Sequence, residues 1–372
     1  MARFQSGGGP RLWYNLPRLD REHFWVGWND RQTSGVLAVR NAFADFAQVE
    51  SEEMFAGRTG ANPLVTIAIP TYRRPDLLAQ AVASAIDQSW DRPFEIVVVD
   101  DDPASTGHER LLNDVPRIAD ANFRYMRNRQ NLRDFGNHSR CVEAARGEWV
   151  TILHDDDLLD RNFLQAMFRQ LEADRSIDGL VCRKRWIDER EVRFEESQRR
   201  SLARWAVDTL TFGGRNVRTI TARKLFWGCV TGNTVGFLFR KRDAMALGGF
   251  YTEDYPSADY YFYARFAERF RLCEARETLA TIRLAVNVSM RKETQLAAFE
   301  RGFALQTAYA VTILPAYYRS ISPLLMARQI ALMERVWRAQ LTVREVEERI
   351  GVSIHRDRPA LLYALRGLLR GF

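Results

Sequence analysis

The sequence predicts an α/β protein, a mostly parallel sheet flanked by helices, and three features of its 372 residues carry that prediction. From Pro63 onward, short apolar runs alternate with amphipathic stretches of helical length, the pattern of βαβ units and of a sheet buried on both faces. Two of the apolar runs stop against three consecutive aspartates, Asp100–Asp102 and Asp155–Asp157. A hydrophobic content of 46% and a charged content of 27% are those of an ordinary globular chain, which excludes wholesale disorder.

Taken in order, residues 1–62 read as an N-terminal extension. It holds the flexible stretch Gly7-Gly8-Gly9-Pro10 and an aromatic patch of Trp13, Tyr14, Phe24, Trp25 and Trp28. A helix-like run, VLAVRNAFADFAQVESEEMF, follows, and GRTGANP reads as the linker that ends it. Residues 63–295 carry the α/β pattern. LVTIAIP is a strand, RPDLLAQAVASAIDQ a helix, FEIVVV a strand, NFRYMRN a weaker strand, GNHSRCVEAARG a helix closed by Gly147, and EWVTILH a strand. After about residue 178 the pattern is mixed: LVCRKRWIDEREVRF alternates like a hairpin, GNTVGFLFR is a strand and ADYYFYARFAERF a helix. Residues 296–372 read as helical and basic.

The balance of 54 Lys+Arg against 47 Asp+Glu gives +7, which suits polyanions or anionic membrane surfaces without selecting either. Cys141, Cys182, Cys229 and Cys273 form no CxxC pair and no zinc-ligand spacing, so a reduced, cytoplasmic protein with buried thiols is expected. No apolar run approaches the ~18 residues of a spanning helix, and MARFQSGGGPRLWYN lacks a signal peptide's apolar core.

Adjacent carboxylates repel, so a chain needing only a turn would use Asn-Gly or Pro-Asp. In open α/β sheets ligands collect beyond the carboxyl ends of the strands, and both triplets fall there. Mg²⁺ and Mn²⁺ take one or two protein carboxylates and complete their shells with phosphate and water. The alternative use of Asp156 or Asp157 is to cap a helix in LLDRNFLQAM, and Asp100–Asp102 could likewise cap one near STGHERLL. The turn Pro70-Thr71-Tyr72-Arg73-Arg74-Pro75 offers hydroxyl, aromatic and cationic groups suited to a base and a phosphate.

PLVTIAIPTYRRPDLLAQAVASAIDQSW, FEIVVVDDDPAS and GNHSRCVEAARGEWVTILHDDDLL, in this order and spacing, resemble the family 2 glycosyltransferases, whose fold is called GT-A. The resemblance runs from about Pro63 to about Arg283 and implies an inverting, non-processive enzyme of bacterial surface-polysaccharide type. It implies that Pro70, Thr71, Tyr72 and Asp101 line the nucleoside, with Asp101 facing the base. Asp155 would lie near the ribose and diphosphate, and Asp156, with Asp155 beside it, would bind Mn²⁺ or Mg²⁺ as the acid of the DXD motif. His154 stands where the family commonly has an Asp. Family members carry an acidic base at a helix start soon after a Gly-Gly-Phe turn, which here gives Asp259, with Ala258 where Glu is common. Glu253 and Asp254 are the reserve, and a helix cap after Ser257 is the structural alternative for Asp259. The resemblance also places Gly232 and Asn233 at the donor sugar, while Arg283 lacks the His that often follows it. A UDP-sugar donor, a glycan or lipid-linked acceptor and no nucleic acid are the implied partners.

A processive synthase would need spanning helices and a Gln-x-x-Arg-Trp after the base, and QRRSLARW has neither spacing nor place. A nucleotidyltransferase would open with a Gly-rich loop where PTYRRPD stands, and a non-catalytic sugar-nucleotide-binding relic need not keep Asp101, Asp155, Asp156 and Asp259 together. From residue 301 onward eleven arginines face five acids, a surplus of six. PALLYALRGLLRGF puts Leu361, Leu362, Leu365, Leu368, Leu369 and Phe372 on one helical face, with Arg366 and Arg370 opposite. That is the pattern of an interfacial helix on an anionic membrane surface, each Arg worth about 1 kcal/mol there, and equally of helices packed on the catalytic domain or in a homodimer.

Overall fold

The computed structural model describes residues 37–58, 60, 62–187, 212–229, 231–283, 291–315, 318, 325, 330 and 341–351. Four strands form a parallel block: β2 (Val65–Thr71), β3 (Phe94–Asp100), β4 (Phe123–Asn128) and β5 (Trp149–Ile152). The helices between them are α1 (Pro75–Ile86), α2 (Gly107–Asp114) and α3 (Arg133–Ala144). Alternate residues of β2 and β3 enter opposite cores: Ala68, Val97 and Val99 on one face, Val65, Ile67, Ile69, Ile96 and Val98 on the other. Burial on both faces is why these strands read as continuous apolar runs rather than alternating ones.

The order across the sheet is β1 (Ser51–Ala56), β4, β3, β2, β5, β9 (Phe237–Arg240), β7 (Gly179–Ile187), β10 (Leu272–Arg283) and β6 (Leu158–Leu159), with β8 (Val217–Thr219) also pairing β10. The chain leaves β2 toward β3 and β4 on one side and returns to β5 on the other, so a crevice opens between the carboxyl ends of β2 and β5. Beyond β5 the pairing turns mixed, as the sequence pattern indicates. β9 (Phe237–Arg240) runs antiparallel to both β5 and β7 (Gly179–Ile187), while β10 (Leu272–Arg283) runs parallel to β7. β6 (Leu158–Leu159) and β8 (Val217–Thr219) add short antiparallel pairings to β10. β7 is thus an interior strand, and the second arm expected for a hairpin lies outside the described residues.

One element departs from expectation. The helix-like run before residue 56 is a single 3₁₀ turn, Ala42–Phe46, followed by β1 (Ser51–Ala56), which pairs antiparallel with β4. Phe43, Phe46 and Val49 join the main core, so this part of the extension completes the sheet and its packing. The aromatic patch at residues 13–28 lies outside the described residues.

The remaining helices are α4 (Phe163–Ala173), α5 (Ala222–Phe226), α6 (Lys241–Ala246), α7 (Ala258–Arg269), α8 (Lys292–Thr312) and α9 (Val343–Ile350). α8 buries Leu305, Tyr309 and Ala310 in the same core as Phe262 of α7, and Leu296, Phe299 and Phe303 pack with Val346 and Ile350 of α9. Of the described C-terminal helices, α8 is therefore packed into the main core and α9 against α8. The candidate interfacial helix at 359–372 lies outside the described residues. Among the described residues no helix is long and apolar enough to cross a membrane.

Candidate active site

At the crevice between β2 and β5 the Thr71 hydroxyl, at the end of β2, donates to Asp155 Oδ2 at 2.8 Å. Asp155, Asp156 and Asp157 follow β5 and are all buried. Burial and the neighbouring Asp156 push the Asp155 carboxyl up to about 7, and desolvation raises Asp156 and, more strongly, Asp157. Arg74 opposes part of this charge, its guanidinium reaching Asp156 Oδ2 at 2.9 Å and Asp155 Oδ1 at 3.4 Å. Neither Asp156 nor Asp157 caps a helix, because Leu158–Leu159 is strand and α4 begins at Phe163 with Asn162 as its cap. Asp157 instead ties elements together: its Oδ1 accepts the Arg283 backbone N–H of β10 at 2.9 Å, and its Oδ2 accepts Asn233 Nδ2 at 3.1 Å. The Arg283 guanidinium also donates to the Asp156 carbonyl at 3.3 Å.

His154, Asp156 and Asp157 each offer a ligand atom, and these atoms lie within 4.8 Å of one another. Buried carboxylates whose charge is so poorly compensated, beside an imidazole, are a donor set that fits a hard or borderline divalent cation. Asp155 is not in this group; it is occupied by Thr71, Arg74 and the Tyr72 backbone N–H.

At the end of β3, Asp101 is buried and its Oδ1 accepts the Leu132 N–H and Asn128 Nδ2, each at 2.8 Å. Burial raises its carboxyl to about 6. It thus pins the entry of α3, while no triplet member caps α2, whose cap is Thr106. Asp100 accepts the Tyr125 hydroxyl at 2.6 Å, and Asp102 accepts Arg73 Nε at 2.6 Å. That ion pair holds Arg73 at a φ of 57°, a left-handed conformation a non-glycine residue enters at a cost of about 1–3 kcal/mol. The turn leaves Pro70 and Thr71 buried and presents the Tyr72 ring, 44% exposed, with the Arg73 guanidinium 4.9 Å from its centroid.

Asp259 sits in the first turn of α7, where the helix dipole favours a carboxylate. Its Oδ1 accepts the Tyr260 N–H at 2.6 Å, and Ser257 holds the N-cap position. Burial pushes its carboxyl up to about 7, partly offset by that backbone bond and by Lys184. The reserve carboxylates are committed elsewhere. Asp254 is buried in an ion pair with Arg265 at 2.6 Å, whose guanidinium lies over the Tyr251 and Tyr261 rings, and Glu253 pairs with Arg40 at the surface.

Gly232 turns left-handed at φ +67°, and Asn233 follows, donating to Asp157 and to His154 Nδ1 at 3.4 Å. Lys184 Nζ on β7 holds this loop, donating to the carbonyls of Thr231 and Asn233 and to Asn233 Oδ1 at 3.3 Å. Lys184 and His138 are the site residues that sequence reasoning did not name, whereas Asp157 was weighed as a helix cap and His154 as a hydrogen-bonding neighbour of the acids. Arg74 was legible as a cation in the turn; Lys184 and His138 carry no local signal.

Residues 66–248 match the profile described as Glycosyl transferase family 2. An uncharacterized protein of Mycobacterium tuberculosis is 29% identical over 216 residues, covering 57% of this chain and 65% of that protein. The GalNAc(5)-diNAcBac-PP-undecaprenol beta-1,3-glucosyltransferase of Campylobacter jejuni is 32% identical over 113 residues, 29% of this chain and 34% of the relative. The chain thus spans between a third and two thirds of the length of these relatives. The crystal structure of S. aureus TarS 1-349 in complex with UDP-GlcNAc shares the fold with a TM-score of 0.51 at 15% identity, covering 82% of this chain and 88% of that one. A GT-A fold with acid triplets at its strand ends and a matching family profile identify residues 66–248 as a glycosyl transferase family 2 domain.

Proposed function

We propose that the protein is a metal-dependent, inverting glycosyltransferase. It moves a sugar from a UDP-sugar to a hydroxyl of a glycan or lipid-linked acceptor in surface-polysaccharide synthesis. The observation that carries this reading is the Thr71 hydroxyl at the end of β2 bonded to Asp155 after β5, with Asp156 beside it, and a buried Asp259 at the start of α7 that shares the field of Lys184 with Asp157. The lipid-linked acceptor is supported by the printed activity of the Campylobacter relative, and UDP by the nucleotide sugar held by TarS. Residues 63–295 are the catalytic unit in this reading.

The exposed Tyr72 ring stacks on the base, and Asp101, Pro70 and Thr71 form the wall of the nucleoside pocket. Asp155 faces the ribose and diphosphate. Asp156, next to Asp155, would hold the divalent ion, and that ion would supply positive charge to the departing diphosphate. Gly232 and Asn233 line the donor sugar. Asp259 takes the proton of the acceptor hydroxyl as its oxygen forms the new bond to the anomeric carbon. The bond from that carbon to the diphosphate oxygen breaks on the opposite face, so configuration inverts and a nucleoside diphosphate leaves.

The protein works in the cytoplasm, at the inner face of the membrane where lipid-linked acceptors lie, with residues 359–372 as the anionic-surface anchor. The test is a panel of UDP-, dTDP- and GDP-sugars assayed for melting-temperature shift and hydrolysis with and without Mn²⁺. A shift and turnover with a UDP-sugar that depend on Mn²⁺ are expected. Binding without hydrolysis or transfer by any donor would favour a relic, and no binding would refute the reading. Flotation with anionic vesicles tests the anchor, since deletion of residues 359–372 is expected to abolish binding and spare donor hydrolysis.

A further inference from the structure

The chain carries its positive charge almost wholly on arginine: of 54 basic residues, only Lys184, Lys224, Lys241 and Lys292 are lysines. Lys184 lies on β7, an interior strand, where it pairs with Ala280 of β10 and shares a face with Cys182 and Trp186. Its ammonium has three hydrogens and meets three oxygens: the carbonyls of Thr231 and Asn233, and Asn233 Oδ1 at 3.3 Å. A compact ammonium suits such a cradle better than a planar guanidinium. The stem is enclosed by the same loop, since a Cβ added at Gly236 would lie 3.8 Å from Lys184 Cε and one at Gly232 would lie 3.7 Å from Nζ.

This loop is also tied to the helix of the candidate base. The Tyr263 hydroxyl, one turn after Asp259 on α7, donates to the Asn233 carbonyl at 3.2 Å, so Tyr263 and Lys184 share one acceptor. β7, the loop and α7 therefore meet at that carbonyl. Burial works against the charged ammonium, while the Cys182 and Cys229 sulfurs, Asp259 and Asp157 work for it. At Asp259 the order is burial, which raises the carboxyl, then the Tyr260 N–H and Lys184, which lower it, with Asp134 of α3 raising it again. Cys229, pushed up to about 12 by burial, and Tyr263, raised by burial on the same helix, also face Asp259 and stay neutral. Of these groups Lys184 supplies the positive charge.

We propose that Lys184 is a positioning residue for both sides of the reaction: its ammonium fixes the Thr231–Asn233 loop for the donor sugar, and its field favours the ionised Asp259 carboxylate. The inference rests on the reading of Asp259 as the base and of Gly232 and Asn233 as donor-sugar contacts, and deepens it.

The test reads kcat and donor KM from pH 5 to 9, in the full chain with saturating Mn²⁺, for the wild type, Lys184→Met, Tyr263→Phe and Asp259→Asn. Lys184→Met keeps the stem and removes the charge. It is expected to raise donor KM and to move the acid limb of kcat upward by about one pH unit, the low end of what an opposite charge does to a carboxyl. Tyr263→Phe loosens the loop but keeps the charge, so donor KM is expected to rise with the limb in place. A purely structural role for Lys184 would lower kcat by one factor at every pH, and an unmoved limb in folded Lys184→Met overturns the inference while leaving Asp259 as the base. Melting temperature reports folding; Lys184→Gln, which keeps donors for the carbonyls, replaces a Met variant that does not fold, with the same limb shift expected. With four lysines in the chain, ¹³Cε-lysine NMR of the wild type reads the charge directly, Lys184 being the signal left when the other three are replaced by arginine. An ammonium at pH 7 is expected, and a neutral amine there overturns the inference. An acid limb that persists in Asp259→Asn would overturn the base assignment and the inference together.

Discussion

Asp259→Asn should cut the rate and erase one limb of the pH profile. Burial pushes the Asp259 carboxyl up to about 7, so its proton-accepting form falls away in the neutral range. The sign follows from its role: a general base works when ionised, so kcat declines on the acid side, about tenfold per pH unit below ~7. At pH 6 roughly one molecule in ten carries the ionised base, and at pH 8 roughly nine in ten. Asp101 and Asp155 titrate in the same range in the free protein, at about 6 and about 7. Saturating donor and Mn²⁺ hold those two in their bound form, which leaves the limb in kcat to Asp259. The substitution keeps size and the backbone contact to Tyr260 while removing basicity, for a loss of about 10²–10⁴. The assay is nucleoside diphosphate release from pH 5 to 9 at saturating substrates, with Asp254→Asn and Glu253→Gln beside it. An acid limb near pH 7 that survives in Asp259→Asn, or vanishes in either comparison variant, would refute the assignment.

Asp156→Ala is expected to abolish Mn²⁺-dependent donor binding in calorimetry, because the site has few protein ligands to lose. Thr71→Val keeps shape but strips Asp155 of its 2.8 Å donor, and should lower stability by about 1–3 kcal/mol in denaturant melts and weaken donor binding. Asp254→Ala leaves the Arg265 guanidinium buried without its carboxylate and should cost about 3–5 kcal/mol in the same melts. Asp101, raised from 3.8 to about 6, binds its proton more tightly folded than unfolded, so its contribution is fully present below about 4 and lost as pH rises to about 6. Asp101→Asn should therefore flatten that part of the stability profile of the metal-free protein, read by chemical denaturation at pH 4 to 7.

The parallel block was legible because strands buried on both faces need apolar residues at every position, and β2 and β3 have them. β1 was not. Glu52, Glu53, Met54 and Ala56 are helix formers, and nothing local says that β4 needs an edge partner. The pairing of Glu52 with Arg127 is a tertiary fact that outweighs local preference. The same division runs through the C-terminal region, where helices were legible by composition but their burial against the core of α7 was not.

Within the site, legibility followed the same physics. Acids that end an apolar strand announce themselves, so Asp101, Asp155 and Asp156 could be named from the sequence alone. Which acid of the triplet holds a ligand and which holds the fold could not be read there. That depends on partners such as the Arg283 N–H, 126 residues away, and Asn233, 76 away. Asp157 takes both of these bonds and is the most strongly raised of the three by burial, so it serves the fold. His154 is the converse case. In sequence it is a departure from the family pattern with no visible compensation, and the compensation is a ring on α3 and an amide on a glycine-turned loop. An imidazole replaces a carboxylate here with one negative charge fewer among acids that already repel one another. The His154 ring is held by groups distant in sequence, with His138 Nε2 at 3.3 Å and Thr234 Oγ1 at 3.0 Å from its Nε2 and the Asn233 amide at 3.4 Å from its Nδ1, so its setting is a tertiary fact that no local pattern announces.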